Sequence, residues 1–67
     1  MSLHQYEIDF SSLSPDEKNT LSERIENFSF NGLCWKQDFQ SAIFFIEENF
    51  DISFLNVPIK CQLSRLQ

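Results

Sequence analysis

Glycine occurs once in this 67-residue chain, proline twice and alanine once. So few breakers exclude a flexible linker or a low-complexity disordered segment. Basic residues are also scarce. Lys18, Arg24, Lys36, Lys60 and Arg65 stand against ten acids, for a net charge of −5. Phosphate neutralisation needs clustered Lys and Arg, so direct nucleic-acid binding is not expected, and an anionic membrane surface is excluded on the same ground. The longest apolar run, Ala42 to Ile46, is far short of the roughly 18 residues of a transmembrane helix. One histidine, His4, and two cysteines, Cys34 and Cys61, lack any metal-ligand spacing. No metal or cofactor is expected. No signal peptide is read, so a reducing, cytoplasmic setting with free thiols is expected, a Cys34–Cys61 disulfide being the lesser alternative.

What is abundant is aromatic: eight Phe, one Trp and one Tyr. A chain of this size buries only about 60% of the surface its unfolded form exposes. Small domains commonly add a disulfide, a metal or a partner chain. With the first two unsupported, self-association is the expected staple.

Taken in order, residues 4–10 alternate, with Tyr6, Ile8 and Phe10 against Glu7 and Asp9, the period of a half-buried strand. Ser14-Pro15-Asp16-Glu17 is a dense helix start, with Ser14 as cap, Pro15 in the first turn and Glu17 reaching back. The helix over 14–28 carries a thin apolar stripe, Leu21, Ile25 and Phe28. Asn31-Gly32 is the one place suited to positive φ, read as a turn or a left-handed cap.

The stretch Trp35–Phe50 fits two templates. Helical spacing gathers Trp35, Phe39, Ala42, Ile43, Ile46 and Phe50 on one face and gives a second helix over 38–50, with Asp38 as cap. Composition favours a hairpin instead, 33–37 with 40–47, its AIFFI run buried on both faces. That turn lacks the Asn-Gly, Asp-Gly or Gly of tight hairpins, so the helix is preferred. Strands are expected at 52–57 and 59–65, turning at Asn56-Val57-Pro58. The fold class is α+β: a small antiparallel sheet packed with helix 14–28 and helix 38–50, or, on the hairpin template, a β-α-β-β-β sheet with one helix, in a single domain.

Catalytic groups are sparse. His4 lies near the N-terminus, Cys34 has no neighbouring base in sequence, and Asp38, Glu47, Glu48 and Asp51 read as surface charge. The chain is therefore expected to be non-enzymatic. More aromatic side chains are present than so small a core needs. The leading expectation is a protein-interaction or regulatory module, homodimeric, acting through a patch at Phe44 and Phe45 with Glu47 and Glu48 beside it. The alternative is an acidic inhibitor or nucleic-acid mimic that occupies a basic site on a nuclease or DNA-binding protein, which needs carboxylates gathered on one face. A third reading, a small-molecule enzyme, needs Cys34, His4 and a carboxylate in one cleft.

Overall fold

The computed structural model describes residues 2–66. Strand β1 spans Leu3–Asp9, helix α1 Pro15–Phe28, β2 Phe30–Trp35, β3 Ser41–Glu47 and β4 Gln62–Arg65, with a 3-10 turn at Ile52–Leu55. The strands form one four-stranded antiparallel sheet in the order β2-β3-β1-β4. The fold is α+β, one helix on one sheet.

β1 runs as its alternation predicts. Tyr6, opposite Phe44, and Ile8, opposite Ala42, point to the helix side; Gln5, opposite Phe45, and Glu7, opposite Ile43, point away. Helix α1 begins where the capping signals put it. Ser14 Oγ accepts from Glu17 N at 3.2 Å, and Glu17 Oε1 accepts from Ser14 N at 2.9 Å. Those bonds satisfy backbone donors that a bare helix end leaves open. The helix buries Leu21 and Ile25 and then passes through Ser29 straight into β2. Asn31 and Gly32, with φ of 67° and 72°, form no helix cap; they make a bulge in β2, where the register with β3 shifts between Phe30 and Cys34. Such a bulge bends an edge strand and blunts its free edge.

The second helix over 38–50 is not formed; the hairpin is. Burial through β3 has a period of two, with Ala42, Phe44 and Ile46 buried and Ile43 and Phe45 half-buried. Helical spacing puts Phe39 in the core, yet it is 65% exposed. Three causes act together. β-branched and aromatic side chains fit an interior strand better than a helix. Asp38 caps a turn, its Oδ1 accepting from Gln40 N at 3.0 Å and Ser41 N at 3.3 Å. Phe39 itself takes the left-handed conformation, φ 54°, that glycine usually supplies. Lys18 of α1 holds this turn from below, donating to Phe39 O and lying 5.1 Å from the Trp35 ring centre.

The strand expected at 52–57 is also absent. Asp51 Oδ1 accepts from Ser53 N at 3.0 Å and from Ser53 Oγ at 2.8 Å, which winds Ile52–Leu55 into the 3-10 turn, and Asn56 ends it with φ 52°. Local side-chain bonds of this kind compete with a ladder and win where no partner strand is at hand. The last strand shrinks from 59–65 to 62–65 and pairs with β1, not with 52–57. Cys61 and Leu63 point in toward the core, whereas Ile59 is fully exposed.

The core sits between the sheet and the α1/3-10 layer: Ile8, Phe10, Leu21, Ile25, Ala42, Phe44, Ile46, Leu55 and Cys61. Tyr6 stacks on Phe44 with centroids 5.5 Å apart, and Phe10 packs on Trp35 at 5.3 Å. One helix covers one face of the sheet. The other face has no layer of its own.

Candidate interaction surface

The uncovered face follows from the pleat. Residues that alternate with the core positions point outward: Leu3, Gln5, Glu7 and Asp9 on β1; Ser41, Ile43, Phe45 and Glu47 on β3; Phe30 and Cys34 on β2; Gln62 and Ser64 on β4. Strand order divides them into two halves. The β2–β3 half is apolar at its centre, with Phe30 opposite Phe45 and Cys34 opposite Ile43, between Ser41 and Glu47 at the ends of β3. The β1–β4 half is polar, with Glu7 opposite Ser64 and Asp9 opposite Gln62. A shallow hollow of about 160 Å³ lies in the polar half, lined by Glu7, Asp9, Ser41, Gln62 and Ser64.

Among the described residues one cation reaches this face. Lys36, just beyond β2, pairs with Glu7 across β3, and that contact raises the lysine's pKa above its usual value. Asp9 is held below the usual carboxylate range because its Oδ1 accepts from Ser11 N at 2.8 Å. Among the described residues no cation pairs with Asp9.

Of the residues singled out from sequence, Phe45 lies at the centre of the apolar half and is half-buried. Phe44 does not belong to a contact surface. It is fully buried between Tyr6 and the core, because adjacent residues of a strand point to opposite faces. Glu47 ends β3 on the rim of the open face, opposite Leu3, and Glu48 is exposed in the following turn. Phe30 and Ile43 share the surface with Phe45; the alternation of the hairpin template finds Ile43, whereas Phe30 lies before both templates and joins β2 only through the Asn31-Gly32 bulge.

A second aromatic group lies elsewhere. Phe50 packs between Phe28 and Phe54, with ring centres 5.0 and 6.0 Å apart, and both outer rings are exposed. A groove of about 390 Å³ runs between the first turns of α1 and the segment after the 3-10 turn, lined by Asp16, Glu17, Thr20, Leu21, Arg24, Asn56 and Pro58. Arg24 closes one side by donating to Leu55 O at 2.9 Å.

The chemistry-bearing residues are not assembled. His4 pairs with Ile46 in a helix-side register position, whereas Cys34 pairs with Ile43 on the open face. Both thiols are free. Burial, and then the nearby Asp9, pushes the Cys61 thiol up, and its Sγ lies 3.0 Å from Asp9 O. A thiol held protonated this way is a poor nucleophile. Asp38 and Asp51 are occupied as turn caps, and their acceptor bonds lower both pKa values. Among the described residues no group of His, Cys, Asp and Glu is arranged to hold a metal, and no helix is long and apolar enough to cross a membrane. No family model matches the chain, and no curated protein or solved structure matches it.

Proposed function

We propose that this chain is a non-enzymatic protein-interaction module whose contact surface is the open sheet face, centred on Phe45 with Phe30, Cys34 and Ile43 around it. The observation that carries the reading is the uncovered apolar half of the sheet. A small domain with one helix layer leaves these side chains against water, and a partner laid on them removes that exposure. Glu47 is the acidic rim of the same face.

The acidic-mimic reading finds less support. Glu7 and Asp9 face outward from the sheet, whereas Glu23 and Glu26 lie on α1, which packs against the opposite face. A phosphate mimic needs its charges on one side.

The test is quantitative capture from native lysate with the wild type, Phe45→Thr and Phe54→Ser. Threonine keeps the strand preference at position 45 while removing the ring. Loss of a partner with Phe45→Thr and its retention with Phe54→Ser is the expected result. Retention with Phe45→Thr overturns the assignment of the face.

A further inference from the structure

We infer that the open sheet face recognises a cationic amphipathic segment, an apolar row flanked on one side by Lys or Arg. This rests on the contact-face reading above and names the partner's chemistry. The two halves of the face impose it. The β2–β3 half offers Phe30, Cys34, Ile43 and Phe45 to apolar side chains. The adjoining β1–β4 half presents Glu7 and Asp9 around a hollow that also holds Ser41, Gln62 and Ser64, all of them hydrogen-bonding groups. Adjacent strands lie about 4.8 Å apart, so the outward rows of β3 and β4 are separated by roughly 10 Å. That width matches the roughly 10–12 Å diameter of a helix with its side chains. A helix lying along β3 and β1 sets its apolar stripe on Phe45 and Ile43 and drops a basic side chain beside Asp9, the carboxylate of this half with no cation partner among the described residues.

Charge also decides against a second copy as occupant. Each chain carries −5, and two such faces laid together set like net charge against like, with Asp9 and Glu47 on each having no cation partner among the described residues. The one cation of the face among the described residues, Lys36, is already engaged by Glu7. Like charges facing one another oppose association, whereas a basic flank is steered in and loses little by desolvation at a partly wet rim.

The probe is a synthetic Leu/Lys amphipathic helical peptide, with a Leu/Glu and a Leu/Ser version as controls. Binding to the isotope-labelled full chain is read as amide shifts, and oligomeric state by sedimentation. The Leu/Lys peptide is expected to shift Ile43, Phe45, Asp9 and Gln62, to weaken steeply with added salt, and to lose about tenfold in affinity with Asp9→Asn/Glu47→Gln. The Leu/Glu peptide is expected to shift none of them. Equal binding of the Leu/Ser peptide at the same face overturns the cationic chemistry and leaves the contact face standing. Shifts confined to the α1 carboxylates Asp16, Glu23 and Glu26 overturn the assignment of the cation to this face. A dimer in sedimentation whose contact maps to Phe45 replaces the cationic segment by a second copy. Absence of any shift at Ile43 and Phe45 with all three peptides, together with unchanged capture by Phe45→Thr, removes both readings.

Discussion

Phe44 and Phe45 are the same residue type, adjacent in one central strand, and they live in different solvents. Phe44 has no exposed surface and stacks on Tyr6 under the helix layer. Phe45 stands on the uncovered side, between Phe30 of β2 and Gln5 of β1. Composition is blind to this difference. The pleat makes it, and the single helix turns it into a difference between two faces, one packed into the core and one left open.

The sharpest way to test that division is to truncate each ring. Phe44→Ala is expected to destabilise the domain by about 3–5 kcal/mol, the usual cost of emptying a buried Phe site. In so small a domain that is enough to leave much of the population unfolded in a urea titration. At the other end of the scale stands Phe45→Thr, about 1 kcal/mol, since it trims a half-buried ring on the open face and keeps a strand-forming residue. Comparable losses at the two positions would erase the distinction between the faces.

Between those extremes come the turns. Asp9, Glu17, Asp38 and Asp51 all have pKa values lowered by hydrogen bonds to turn or cap donors, those of Ser11, Ser14, Gln40 and Ser53. A carboxylate whose folded pKa is depressed contributes stability that is present above its unfolded value, near ~4, and is lost as pH falls through the folded value. The thermal midpoint is therefore expected to be flat from neutrality to about pH 5 and to fall below about pH 4. These carboxylates sit on the surface, so each contribution is small and the fall is gradual. A midpoint that rises on acidification would show that charge repulsion at −5, rather than these bonds, governs the acid limb.

Of opposite sign is the hairpin tip. Phe39 holds a positive φ with its ring exposed. Phe39→Gly relieves a backbone conformation that costs a residue with a β-carbon roughly 1 kcal/mol. The expected gain is about 1 kcal/mol, offset in part by the added freedom of glycine in the unfolded chain. A loss in chemical denaturation would mean that the Phe39 ring contributes more by its contacts than its exposure suggests.

Much of the fold was legible in sequence where local signals agree. Tyr6, Ile8 and Phe10 alternate, and β1 is there. Ser14, Pro15 and Glu17 spell a capped helix start, and the bonds are made. The reading failed where one residue satisfies two templates. Trp35, Phe39, Ile43, Ile46 and Phe50 fit a helical stripe, but Ala42, Phe44 and Ile46 fit a strand equally well. Only the presence of β1 and β2 on either side settles the choice, and that is tertiary information. The missing glycine in the hairpin turn misled because Phe39 took the left-handed position, an exception no propensity anticipates. The same slip moved Phe44 onto the surface and hid Ile43, while Phe30 lay outside both templates. Ile52–Leu55 failed for a different reason: Asp51 and Ser53 bond to one another locally, and an apolar run alone does not reveal that.

The order of strands has a consequence for how the molecule comes into being. β1 and β2 run the same way with β3 inserted between them, so neither has a sheet neighbour among the first 35 residues. As the chain leaves the ribosome, helix and flanking strands emerge with nothing to zip to. At about 5–20 residues per second the wait for Ser41–Glu47 is on the order of a second. The strand that arrives third closes both gaps at once, so β1, β2 and β3 join in a single step, and β4 adds to the free edge of β1 when Gln62–Arg65 follows.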